Sequence, residues 1–317
     1  MNIIKHRRWY YLLSALVILP GVISMIASTI VFGSPVRLSV DFTGGALWEV
    51  RFADAVAPAQ MVQLFQANGF ADVDVNTVGD DRTLEIRTDD ITAEQKTTLL
   101  AAMEAKFGKA PEELQFTLVG PSIGQEVTRA AFVAVFFASI AILLFIIWAF
   151  RNIPHSVRYG VSAIVAMLHD VLVTLGFISI MGWVAGWEAD ALTLTALLTI
   201  IGFSVQDTIV VFDRIRENTR RRRGEDYETI VNRSLLETIH RSLATQINAM
   251  FVMVALLLFG GVTIRPFIAT LLVGLLSGTY SSIFNATPLV VSWEKGELTF
   301  WRRDRQKNGG KRTPAPA

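Results

Sequence analysis

Apolar residues fall in six long runs, at 11–32, 130–150, 155–182, 192–212, 242–262 and 267–291. Each has close to the roughly 20 residues that an α-helix needs to cross about 30 Å of hydrocarbon. The first run carries no charge and follows the basic stretch IKHRR. At 22 residues it exceeds the about 7–15 of a cleaved signal segment, which predicts a retained anchor. The last five runs follow one another through short connections. Between the first and second runs the pattern changes. ALWEVRF largely alternates apolar and polar positions, as a strand with one buried face does. PAQMVQLFQANGF opens on Pro58 and stops at Asn68-Gly69, which predicts a helix. DVDVNTV and TLEIRT read as strands on either side of a turn at GDD. TAEQKTTLLAAMEAKFG starts with a Thr-x-x-Gln capping-box pattern and ends at Gly108, and LQFTLV is a last strand. The predicted order β-α-β-β-α-β is that of a ferredoxin-like split βαβ unit.

The expected fold class is therefore a polytopic α-helical membrane protein. It has six transmembrane helices and one α+β ferredoxin-like (βαββαβ) external domain between helices 1 and 2. The expected divisions are 1–32, a cytosolic N-terminus and helix 1; 33–122, the external domain; 123–293, helices 2 to 6; and 294–317, a basic, disordered cytosolic tail. Short links at Pro35 and at Gly120-Pro121 are expected to act as a hinge pair for the external domain.

Charge orients this arrangement. Segment 33–122 holds 14 Asp and Glu against 7 Lys and Arg, a net of −7, so the rest of a +1 chain carries +8. Cytosolic loops carry the Lys/Arg excess in membrane proteins. Lys5, Arg7 and Arg8 precede run one, and Arg151 and Arg158 lie between runs two and three. Arg214, Arg216 and Arg220–Arg223 follow run four, and Arg302, Arg303, Arg305, Lys307, Lys311 and Arg312 follow run six. With six spans these four places share one side. Both termini are then cytosolic, and the acidic domain lies on the other side with Trp183 and Trp187 in an interfacial belt. The chain has no cysteine, so disulfides and thiolate-bound metals are excluded. It also lacks a Gly-x-x-x-x-Gly-Lys-Ser/Thr phosphate loop. No enzymatic activity, metal, organic cofactor or nucleic-acid partner is expected, so energy would come from an ion gradient or a partner.

Ionisable residues at membrane depth are costly and mark candidate functional sites. Asp170 lies 12 residues past Arg158, roughly 18 Å along a helix and near the midplane, with His169 before it. Asp207 lies six residues before Asp213, roughly 9 Å inside the apolar zone. Arg241 opens run five, and Arg241, Thr245 and Asn248 share one helical face at i, i+4 and i+7. Ser204 and Gln206 neighbour Asp207, and Thr195 and Thr199 lie earlier on the same helix. An Asp207–Arg241 pair at similar depth on adjacent helices would break when the acid gains a proton. Plainer readings stand beside these. Asp170 could bond hydroxyls or backbone of a neighbouring helix, His169 could be a packing residue, and Arg241 could snorkel to the surface. Gly274-x-x-x-Gly278, followed by Ser281 and Ser282, fits close helix packing. Asp213 with Arg214 and Arg216 fits a solvated helix end.

Several stretches resemble the SecD/SecF family of protein-export membrane proteins, within the resistance-nodulation-division superfamily, and specifically its six-span SecF-like members. VDFTGG at 40–45 is similar to the motif that opens the family's external domain, and GPSIG at 120–124 to the one that closes it. HDVLVTLG, GFSVQDTIVVFDRIREN, HRSLATQ and GTYSSIF match in order and span placement. The resemblance covers nearly the whole chain. It implies a separate SecD partner, association with the SecYEG channel and with YajC, and use of the proton gradient, or of sodium in some members, to draw preproteins outward. It places Asp207 as a proton-pathway acid and Arg241 as its basic companion, with a further aspartate supplied by SecD. Asp170 joins them as a third candidate on that pathway. Gln206, Ser204, Thr245, Asn248, Gly278 and Ser281 are the supporting polar and packing residues. Asp41, Phe42, Thr43, Gly44 and Gly45 carry the external-domain motif. The chain departs where GFSVQD replaces the more usual GYSxND, so Phe203 lacks a hydroxyl and Gln206 stands for Asn. Two other functions fit the composition: a passive scaffold in a translocon complex, and half of a small-molecule or lipid exporter of the same superfamily.

Overall fold

The computed structural model describes residues 2–151, 155–222 and 224–297; of the basic tail expected at 294–317, residues 298–317 lie outside them. Among the described residues, six helices are long and apolar enough to cross a membrane: Ile4–Phe32, Ser122–Ala149, Ser156–Ala185, Ala191–Arg221, Tyr227–Phe259 and Arg265–Glu294. They contain the six apolar runs nearly in full, and four extend well beyond them, the fourth and fifth at their shared connection. The polar continuation to Arg221 and the start at Tyr227 make a helical hairpin below the apolar zone. There Asn218 donates to Ser234 (3.0 Å) and Glu237 (3.0 Å), and Arg214 reaches Glu237 (2.5 Å). The solvated helix end expected at 213–218 is thus half right. Asp213 pairs with Arg216 at the surface, while Ile215 and Asn218 are buried against the neighbouring helix.

The elements are α1 (Arg7–Phe32), α2 (Val40–Thr43), β1 (Gly45–Arg51), α3 (Pro58–Ala67), β2 (Val73–Thr77), β3 (Thr83–Thr88), α4 (Ala93–Phe107) and β4 (Glu112–Val119). They continue with α5 (Pro121–Ala149), α6 (Ser156–Ala185), α7 (Ala191–Arg221), α8 (Tyr227–Phe259), α9 (Arg265–Ser281) and α10 (Thr287–Glu294). Residues 45–119 follow the expected β-α-β-β-α-β order and form one antiparallel sheet, β2-β3-β1-β4. The capping box on Thr92 and Gln95 forms, and Gly108 closes α4 in the left-handed conformation. Trp48, Met61, Phe65, Leu84, Ile86, Leu99 and Met103 build the core between the sheet and its two helices.

In the bundle, α6, α7 and α9 form the centre, and α1, α5 and α8 pack around them with outward apolar faces. The pair Gly274 and Gly278 on α9 meets α7. A Cβ at Gly274 would lie 2.1 Å from the Ile200 side chain, and one at Gly278 would lie 3.4 Å from Ser204. After Ser281 the last span widens into a π turn at Ser282–Ala286, where Thr287 donates to the Ser282 carbonyl at 2.9 Å. Insertions of this kind recur at functional sites.

Candidate functional site

Asp170 is fully buried in the middle of α6. Ser204 of α7 donates to its Oδ2 at 2.5 Å, and Ser281 of α9 to the same oxygen at 2.6 Å. Ser277 of α9 donates to Oδ1 at 2.7 Å, and His169 Nδ1 lies 3.0 Å from that oxygen. One carboxylate thus ties three helices together. The hydroxyls supply the hydrogen bonds that water would otherwise give a polar group buried this deeply. The plainer reading of Asp170, bonded to serines of neighbouring helices, describes its geometry. Small Gly278 lets α7 come close enough for Ser204 to reach.

Asp207 sits on α7, three residues beyond Ser204, and is 6% exposed. Its side-chain partner is Gln246 of α8, whose Nε2 donates to Oδ2 at 2.8 Å. The Asp207–Arg241 pair expected from the sequence is not formed here. Arg241, Thr245, Asn248 and Gln206 are all exposed, and Thr245 bonds back to the Arg241 carbonyl at 3.0 Å. The inward face of α8 is the stripe Ser234, Thr238, Ser242 and Gln246, spaced four apart. One residue is about 100° of helix rotation, so Arg241 beside Ser242 points to a different side. Sequence reasoning followed the polar residues at i, i+4 and i+7 and missed Gln246. The signal that could have found it is the longer stripe of small and polar residues at i+4, which ends inside the matched motif HRSLATQ. Gln246 Oε1 and Ser242 Oγ are buried without a partner among the described residues.

The motif at 40–45 lies where the sheet unit meets the bundle. Asp41 Oδ2 accepts the backbone N–H of Ala191 at 3.0 Å, adding to the Asp190–Thr193 capping box at the start of α7. A carboxylate is favourable at that helix end. Arg87 of β3 holds Glu188 at 2.7 Å and the Thr43 hydroxyl at 2.8 Å, while Arg37 pairs with Asp74 and lies 3.7 Å from Glu188. Leu38 and Ala189 form a β-bridge, with Ser39 donating to the Ala189 carbonyl at 2.9 Å and Ala189 to the Arg37 carbonyl at 2.7 Å. Gly124 of the closing motif packs on the opening one: a Cβ there would lie 2.8 Å from the Gly44 nitrogen and the Phe42 carbonyl. The chain just past Pro35, expected as the entrance half of a hinge pair, is therefore bonded to the connection between α6 and α7. Burial pushes Glu188 up, with Arg87 opposing. Burial, Glu188 and Glu49 push Glu85 up to about 7. Glu49 stands directly across from Glu85 in the β1–β3 pairing.

Six apolar helices around a centre that holds two buried carboxylates define a multi-pass membrane protein with ionisable groups built into its core. Residues 99–296 match the family model for the C-terminal part of the SecD/SecF protein export membrane proteins. The chain belongs to the SecD/SecF family. It is 45% identical over 304 residues to protein translocase subunit SecF of Anaerolinea thermophila, covering 95% of this chain and 96% of that one. It is 45% identical over 315 residues to the subunit of the same name in Thermobaculum terrenum, covering 96% and 97%. The crystal structure of SecDF, a translocon-associated membrane protein from Thermus thermophilus, superposes with a TM-score of 0.78 at 31% identity. That match covers 93% of this chain and 39% of the SecDF chain, so this chain spans well under half of that protein.

Proposed function

We propose that this chain is the SecF half of a SecD–SecF assembly that uses the proton-motive force to promote export and release of preproteins. The observation that carries the reading is Asp207, a carboxylate in the bundle centre held by one neutral amide. Such a group can gain and lose a proton without breaking an ion pair inside the chain. In this reading the sheet unit, 33–122, is a ferredoxin-like external domain, and both termini are cytosolic in the bacterial inner membrane. The chain works without catalytic chemistry or a bound cofactor. Protons, with sodium as the alternative ion, supply the energy, and SecYEG, YajC and the emerging preprotein are the further partners.

The exposed polar residues support the need for a partner. An arginine on the lipid side of a span is expensive. Arg241, with Thr245, Asn248 and Gln206, therefore faces SecD, which brings its own carboxylate to Arg241 and completes the proton pathway. Asp170 is the fixed anchor of that pathway rather than its mobile acid, because three hydroxyls already satisfy it.

Helix α7 connects the two levels. It carries Asp207, and 16 residues earlier, about 24 Å along its axis, Ala191 is held by Asp41 of the sheet-unit motif. A shift of α7 on protonation would pull directly on the external domain. Asp207→Asn in cells that depend on this protein tests the reading. Gradient-driven export falls to the level without a gradient, with the protein inserted at normal abundance. Unchanged export at normal abundance would leave the passive scaffold as the function.

A further inference from the structure

Gln246 is 2% exposed on a span, although an amide there is costly unless each of its polar atoms is used. Only half of it is used. Nε2 donates to Asp207, while Oε1 is buried with no partner among the described residues. Ser242 Oγ, one turn away on the same face, is in the same condition. Buried polar atoms without partners are rare in native proteins, and each calls for an explanation. A carboxylate can only accept hydrogen bonds, whereas a carboxylic acid also donates one. An amide has a donor and an acceptor on one planar group, and a half-turn about its terminal torsion exchanges them. That torsion is broad and roughly two-fold.

We propose that Gln246 is a positioning residue that follows the protonation of Asp207 by turning its amide. This rests on Asp207 being the proton-carrying acid. With Asp207 ionised, the amide N–H donates to Oδ2, as seen. When Asp207 takes one proton from the gradient, a new O–H bond forms on the carboxyl and nothing else is made or broken. The amide then turns, and the idle Oε1 accepts that O–H. Contact between α7 and α8 survives both states, but its polarity reverses, and the freed N–H is aimed at a different neighbour. The oxygen that looks wasted in one state is the partner needed in the other.

The surroundings leave this task to Gln246. On the elements packed against α7, the ionisable groups near this level are His169 and Asp170 on α6, Tyr280 on α9, and His240 and Arg241 on α8. His169 Nδ1 and the Asp170 carboxyl are engaged with each other and with serines, and His169 Nε2 is buried without a partner among the described residues, Asp207 included. Tyr280 donates to the Tyr10 carbonyl at 2.8 Å. His240 and Arg241 are exposed. None of the five bonds Asp207.

Two measurements test this. In vesicles, Gln246→Leu lowers gradient-driven export about tenfold, the value of one hydrogen bond to a charged group. Asp207→Asn is run beside it. In the purified full chain carrying side-chain 13C-glutamine, the infrared difference between high and low pH contains a glutamine amide C=O change, and Asp207→Asn removes it. If Asp207→Asn blocks export while Gln246→Leu exports normally, the inference about Gln246 fails and the proton-pathway reading stands. If Asp207→Asn exports normally, the reading beneath it fails. Should Gln246→Leu not insert, the wild-type spectrum decides: no glutamine change, or one that persists in Asp207→Asn, overturns the proposal.

Discussion

In the sheet unit, the largest fully buried side chains are apolar, Trp48, Phe65, Met61 and Leu84 among them, and Glu49, Glu85 and Arg87 lie half-buried on the other face of the sheet. The bundle also buries large apolar side chains, Phe150 and Phe212 among them, but it adds polar ones at its centre. Asp170, Ser204 and Ser281 are buried, while Phe132, Phe251 and Phe259 are on the outside, 76%, 71% and 88% exposed. The difference follows from the solvent each unit meets. In water, burying apolar surface stabilises at about 25 cal/mol per Å². In lipid that force is absent between helices, so close packing at small residues and internal hydrogen bonds must supply specificity. The sheet unit can therefore afford a featureless core, and the bundle can carry chemistry in its own.

Three changes would sharpen or break this contrast. Trp48→Ala should have the largest effect, about 3–5 kcal/mol on the sheet unit. Proteolysis within 45–119 should rise while the bundle stays resistant. Equal loss in both units would show that they do not have separate cores. Asp170→Leu should cost the bundle about 2–4 kcal/mol, because three buried hydroxyls lose their acceptor. Unfolding in mixed micelles would measure it, with Asp170→Asn milder. A stabilised Asp170→Leu bundle would mean that apolar packing rules there too. The smallest effect concerns Glu85. Its pKa is about 7 in the folded chain against an ordinary 4.5, so the native state holds a proton that the unfolded chain releases. The resulting stability is full below about 4.5 and is lost as pH rises through about 7. The groups facing it are Glu49, Glu188, Arg87 and Asp74. Glu85→Gln should flatten the pH profile of sheet-unit melting.

The same contrast explains what could be read from the sequence. The strands and helices of 45–119 fall within about two residues of the expected bounds, because alternation, caps and turns are local signals. The six spans are as legible, since length and apolar content suffice to find them. Asp170 and Asp207 stand out because charge is rare in such runs. The rotation of α8 did not. Arg241, Thr245 and Asn248 compete with Ser242 and Gln246 for the inward face, and in lipid both faces carry apolar neighbours. Only contact with α7 decides between them. Helix α2 was also unpredicted. Its four residues are held by the Ser39 cap and by α5, which no local pattern encodes.

The seat at Leu38 and Ala189 also sets an order of assembly. The sheet core draws only on residues between Ala46 and Phe116, so it is complete once that stretch has been synthesised. Its docking site, Glu188, Ala189 and the first N–H of α7, is made about 70 residues after β4 ends. At about 5–20 residues per second, the nascent chain spends several seconds with its sheet folded and its seat unmade. Arg37 and Arg87 pass that interval without Glu188, and the join closes only when the fourth span is threaded.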